Sequence, residues 1–94
     1  MNFLIVCRDK PDQQANRAAT RAAHLDHIQS RGAALKTGGP LLSDDGSTPI
    51  GSAYIMAFDD KAAAEAFADA DPYNQAGIFE TITVTAWRQV LPKE

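Results

Sequence analysis

Asn2-Phe3-Leu4-Ile5-Val6-Cys7-Arg8 is a strand that needs cover on both sides. Side chains alternate between the two faces of an extended chain, so Phe3, Ile5 and Cys7 share one face and Leu4 and Val6 the other. A strand that is apolar on both faces belongs inside a layered structure, with helices on one side and a partner sheet on the other.

A turn-and-cap cluster, Asp9-Lys10-Pro11-Asp12, separates this strand from a helical segment, Gln13 to Arg31, that ends at Gly32. The apolar stripe of the helix reads Ala15, Ala18, Ala22, Leu25 and Ile28, leaving Arg17, Arg21 and His24 on a more polar flank. A second strand is expected from Ala33 to Thr37, closed by Gly38-Gly39-Pro40, with Leu41-Leu42 extending it beyond that kink. The polar, turn-rich run 43–49 is a loop, and a third strand follows from Ser52 to Phe58. Asp59-Asp60 then caps a helix over Lys61 to Asp69, with Ala63, Ala66, Phe67 and Ala70 as its buried stripe, and Asp71-Pro72 ends it. The last strand spans Phe79 to Val90, with Thr81, Thr83 and Thr85 facing opposite to Ile82, Val84 and Ala86.

The element order is β-α-β-β-α-β, an α+β, ferredoxin-like fold whose antiparallel sheet carries both helices on one face. No third helix is available for the other face. Burial there by a second copy, sheet against sheet, gives a two-fold homodimer resembling a barrel. A chain of 94 residues also buries only roughly 60–65% of its unfolded surface, so an oligomer interface adds needed stability.

Composition narrows the function classes. With 45% hydrophobic residues and a formal charge of −3, the chain describes one small soluble domain and no second one. Phosphate contacts need concentrated Lys/Arg surface, and none is present, so nucleic acid is not expected as a partner. The run Phe3 to Cys7 is too short to span a membrane and has neither a basic leader nor a small-residue cleavage signal after it, which predicts a cytoplasmic protein without a membrane partner. There is no Gly-x-Ser-x-Gly elbow, no phosphate-cradling Gly-rich loop and no dinucleotide fingerprint.

Cys7 is the only cysteine, which excludes an intrachain disulfide and a multi-thiolate metal site. Its apolar, mid-strand setting reads as a buried structural thiol. His24 and His27 lie three apart on the first helix, but no carboxylate-rich metallohydrolase signature accompanies them, and no metal or cofactor is expected.

The polar residues arranged like a site are Arg17, Arg21 and His24-Leu25 on the first helix and Asp71-Pro72-Tyr73 some fifty residues later. Histidine titrates near neutrality, and a carboxylate can fix its tautomer and stabilise its charged form, so His24 and Asp71 brought together could move protons. Each has a structural alternative: His24 as a surface helix histidine, Asp71 as a helix-terminating turn residue, Arg17 and Arg21 as a solvated face or as partners of nearby aspartates. Tyr73 and Trp87 read as packing residues rather than substrate platforms.

Arg17-x3-Arg21-x2-His24-Leu25, Gly39-Pro40, Ala68-Asp69-Ala70-Asp71-Pro72-Tyr73, Ala76-Gly77 and a terminal strand carrying Trp87 occur in that order over nearly the whole chain. This combination resembles the YciI-like family. The resemblance implies a dimeric α+β barrel of the ferredoxin-like type with a catalytic pair that falls on His24 and Asp71. One branch of that family is cited as a dehydrochlorinase acting on a chlorinated hydroquinone.

On that reading Asp71 orients His24, which takes and returns a proton on a phenolic or activated carbon acid or helps a halide leave. Arg17 and Arg21 offer guanidinium forks for an anionic group, Gly39 allows close backbone approach, and Pro40 and Tyr73 complete the expected ligand-binding set. Two readings of different class remain open. One is a cofactor-independent lyase or isomerase acting on a small, anionic or phenolic compound. The other is a non-catalytic dimeric module that keeps the cleft for binding. Oxygenation of a quinol by the protein alone is a third, by analogy of fold.

Overall fold

Four strands form a single antiparallel sheet in the order β2-β3-β1-β4. The computed structural model describes residues 1–92, as β1 (Asn2–Asp9), α1 (Gln14–Gln29), a 3-10 turn (Gly32–Ala34), β2 (Leu35–Leu42), β3 (Pro49–Ala57), α2 (Lys61–Asp69), α3 (Pro72–Gln75) and β4 (Phe79–Trp87). This is the β-α-β-β-α-β order, with a one-turn helix added before the last strand. No helix among the described residues is long and apolar enough to cross a membrane.

β1 lies at the centre and sets the two faces. Phe3, Ile5 and Cys7 pair in register with Met56, Tyr54 and Ser52 of β3 on one side and with Ala86, Val84 and Ile82 of β4 on the other. Phe3, Ile5, Cys7, Tyr54 and Met56 are buried, and they share one core with Ile28 of α1 and with Ala64 and Ala68 of α2. The helices therefore cover this face. On the opposite face Leu4, Val6, Ala53 and Ile55 are only half-buried, and Trp87 remains 38% exposed. Thr81, Thr83 and Thr85 lie on that side too, opposite to Ile82, Val84 and Ala86.

Several expectations are corrected. The stripe on α1 is rotated: Arg17, His24 and Ile28 are its buried residues, Leu25 is half-buried, and Ala15, Ala18 and Ala22 are exposed. Arg17 and His24 can occupy the inner face because each has a charged or hydrogen-bonded partner there, and apolarity alone could not show that. On α2 the buried stripe is Ala64 and Ala68 with Phe67 half-buried, while Ala63, Ala66 and Ala70 face outward. In an alanine-rich helix the apolar pattern is too even to mark the inner face. Asp60 does cap α2, accepting from the Ala63 N–H at 2.8 Å. The cluster before α1 supplies no such cap: the helix starts from Gln13 without a side-chain hydrogen bond, and Asp9 is engaged elsewhere.

β2 does not stop at Gly38-Gly39-Pro40. It runs through to Leu42 and pairs with β3 along its length, which is permitted because it is an edge strand and proline needs no ladder partner on its open side. β3 accordingly begins earlier, at Pro49, and β4 ends earlier, at Trp87. At Gly51 an added Cβ would lie 2.5 Å from the Cys7 carbonyl oxygen, so only glycine allows β3 to sit this close to its neighbours.

Cys7 is fully buried. Burial, with the charge of Asp71 adding to it, pushes its thiol up to about 12. The unfolded thiol ionises at the ordinary value of 9.0 and the folded one only near 12, so the folded state holds one extra proton between those values and stability falls as pH rises through that window. We expect alkaline denaturation beginning above pH 9 to be shallower in Cys7→Ala, measured by urea melts at stepped pH. Equal slopes in the two proteins would remove Cys7 as a cause.

Candidate active site

α1 carries Arg17 and His24 seven residues apart, close to two full helical turns, so both project to the same side. Facing them is the α2–α3 junction. There Asp71 accepts the Tyr73 backbone N–H at 2.9 Å and so caps α3, whose first position is Pro72, preorganised for a helix start. Asp71 thus both follows the end of α2 and starts a new turn, and this aims its carboxylate back at α1.

His24 Nδ1 lies 2.8 Å from Asp71 Oδ1 and 3.0 Å from Oδ2. Asp71 is wholly buried and His24 is 8% exposed. A carboxylate in that position accepts from Nδ1–H, which leaves Nε2 as the free nitrogen of the neutral ring. Nε2 has no hydrogen-bond partner among the described residues and is not sealed from solvent. The Tyr73 ring stacks on the imidazole at 3.9 Å between centroids and 9° between planes. Burial pushes the Tyr73 phenol up, against the opposing pull of Arg17 and Arg21.

Arg17 is held firmly. Its Nε donates to Asp9 Oδ2 at 2.6 Å, and its Nη2 donates to Asp9 Oδ1 at 3.1 Å and to Ser52 Oγ at 3.0 Å. Its guanidinium also lies 4.6 Å from the Tyr73 ring centroid. Arg17 therefore braces the wall through Nε and Nη2, while its two Nη1 N–H groups have no partner among the described residues. Arg21, one turn further along α1, is exposed and has no carboxylate partner among the described residues.

Between α1 and the β2–β3 hairpin lies a cleft of about 390 Å³. Arg17, Arg21, His24 and Leu25 line it from α1, Gly38, Gly39, Pro40, Ser52 and Tyr54 from the hairpin, and Tyr73 from α3. Its openness comes from missing side chains: a Cβ on Gly39 would meet nothing within 4 Å, and one on Gly38 would press on the Tyr54 Cβ at 3.1 Å. Asp71 stands behind His24 and does not line the cleft.

Among the residues singled out in the sequence, His24, Arg17, Arg21, Gly39, Pro40 and Tyr73 converge on this one space, with Asp71 behind. Three residues escaped notice: Asp9, Ser52 and Tyr54. Ser52 and Tyr54 share the phase of Met56 along β3, so a polar group on the inner face was readable there. Asp9, at a strand end, carried no such signal. His27 is structural, its Nε2 2.9 Å from the Phe67 carbonyl oxygen and its ring stacked on Phe67 at 4.0 Å. The described residues contain no group of three metal-binding side chains.

A model of the YCII-related domain matches residues 1–88. The chain belongs to the YCII-related family. Protein YciI of Escherichia coli is 36% identical to it, over 96% of this chain and 99% of that one. Among solved structures, 5-chloro-2-hydroxyhydroquinone dehydrochlorinase (TftG) of Burkholderia phenoliruptrix, in complex with 2,5-dihydroxybenzoquinone, is 31% identical with a TM-score of 0.86, over 95% of both chains. An antibiotic biosynthesis monooxygenase homologue from Nitrosomonas europaea shares the fold at 14% identity and a TM-score of 0.55, over 96% of this chain and 99% of that one. This YCII-related chain thus shares its α+β, ferredoxin-like fold with these solved structures.

Proposed function

We propose that this protein is a cofactor-independent lyase or isomerase that moves protons on a small phenolic or anionic compound bound between α1 and the β2–β3 hairpin, with His24 as acid and base and Asp71 as its partner. The observation that carries this reading is the placement of His24: Nδ1 is fixed by Asp71 while Nε2 is left for the cleft. Nε2 takes a proton from a ring hydroxyl and returns it to a ring carbon, which is an isomerisation. If that carbon bears chlorine, loss of a second hydroxyl proton drives chloride out with its bonding electron pair, and the ring leaves as a quinone. Asp71 holds the imidazole in register and stabilises its charged form. Arg21 offers a guanidinium to an anionic oxygen or the departing halide.

The ligand chemistry of TftG supports this choice of substrate class, since that protein was captured with a dihydroxybenzoquinone. We further assign the half-buried sheet face around Val6 and Ile55 to a second copy of the chain. Apolar side chains there have no cover within one chain, and covering them gives the closed barrel.

A direct test combines titration of the full chain with 2,5-dihydroxybenzoquinone and measurement of chloride release from chlorinated hydroquinones. Saturable binding with turnover supports the enzyme. Binding without turnover of any phenolic, equal in wild type and His24→Gln, makes it a binding module instead. Sedimentation at low concentration should give twice the chain mass, and a stable monomer would refute the barrel assignment.

A further inference from the structure

Tyr54 stands apart from the machinery just described. It lies on the helix-facing side of β3, where its register neighbours are Ile5 and Gly38. Gly38 brings no side chain of its own against Tyr54, where an added Cβ would lie 3.1 Å from the Tyr54 Cβ, and Tyr54 forms part of the cleft wall. Its ring packs edge-on against Phe67 at 6.2 Å, and only 3% of the residue is exposed. Among the described residues its hydroxyl is the one buried side-chain oxygen or nitrogen without a hydrogen-bond partner. A packing role needs no hydroxyl, and phenylalanine would fill the same space without stranding a polar atom. Burying an unpaired hydroxyl is costly, so native cores nearly always give such a group a partner. Burial followed by the nearby Cys7 and Asp71 pushes the phenol upward, so it stays a neutral O–H able to donate.

We infer that Tyr54 is a specificity-determining residue of the cleft, whose hydroxyl donates to a second oxygen on a ring already engaged by His24 Nε2. This rests on the proposed reading of the cleft and sharpens its substrate class: dioxygenated rings are preferred over monophenols. The site works at two points, with His24 acting on one oxygen and Tyr54 recognising another.

The test is calorimetric titration of wild type and Tyr54→Phe, as full chains, with phenol, catechol, resorcinol and hydroquinone. We expect the wild type to bind at least one of the three dihydroxybenzenes more tightly than phenol by roughly 3–10-fold, the worth of one added hydrogen bond, and this preference to vanish in Tyr54→Phe. Thermal melts without ligand should show the variant as stable as wild type or more so, because an unpartnered polar atom has been removed. An unchanged preference in the variant overturns the inference and leaves the cleft reading standing. Equal wild-type binding of all four compounds does the same. If none of the four binds the wild type, both fall together.

Discussion

The His24→Gln variant should turn over a phenolic substrate roughly 10²–10⁴-fold more slowly than wild type, the range contributed by a positioned acid or base. Glutamine can still hydrogen-bond to Asp71, so the wall of the cleft is kept, but an amide cannot exchange a proton near neutral pH. The loss should therefore fall on kcat, with KM little changed, and thermal melts of the two proteins should be close. Steady-state kinetics on whichever chlorinated or plain hydroquinone the wild type accepts will decide it. A variant with wild-type kcat would strip His24 of its role, whatever the geometry suggests.

Breaking the ion pair beside the site should be the most destabilising single change. In Asp9→Ala the Arg17 guanidinium, with a side chain only 9% exposed, keeps Ser52 as its sole side-chain acceptor. Removing one partner of a buried pair costs about 3–5 kcal/mol, because the remaining charge stays desolvated. Against a total stability of roughly 5–15 kcal/mol that is a large share, and melting should drop by about 4–8 °C for each kcal/mol lost. Combining Asp9→Ala with Arg17→Met should recover much of the loss, since no uncompensated charge is then left inside. A melt for Asp9→Ala within 1–2 °C of wild type would mean that water reaches Arg17 after all.

Element order and fold class were legible because the apolar runs of β1 and β3 and the alternation in β4 are clear and the breaks at Pro11, Asp59 and Asp71 are strong. Helix faces were not. In α1 and α2 alanine is spread almost evenly, and the rotation of α1 is decided by partners from elsewhere: Asp9 and Ser52 for Arg17, Asp71 for His24. The Ser52 and Asp71 partnerships are long-range facts, invisible to a local window, whereas Asp9 is one of the nearby aspartates that the sequence offered to Arg17. The candidate pair was nominated through the ordered motif rather than through helical position, which by itself favoured a surface histidine. The strand through Gly38-Gly39-Pro40 was missed for a related reason. Local chemistry predicts a break, but an edge position tolerates it, and edge position is a property of the whole sheet.

The cleft joins two kinds of element. The His24–Asp71 pair sits on α1 and the α2–α3 junction, whereas the far wall of the cleft is a hairpin edge where Gly38 and Gly39 carry no side chains. Any side chain placed on that edge, or lost from Tyr54, reshapes the space without touching the helices. On the proposed reading, reactivity and selectivity are inherited on separate segments of the chain. On that reading, a lineage built on this plan exchanges one ligand for another by editing the hairpin alone, with the His24–Asp71 pair left untouched.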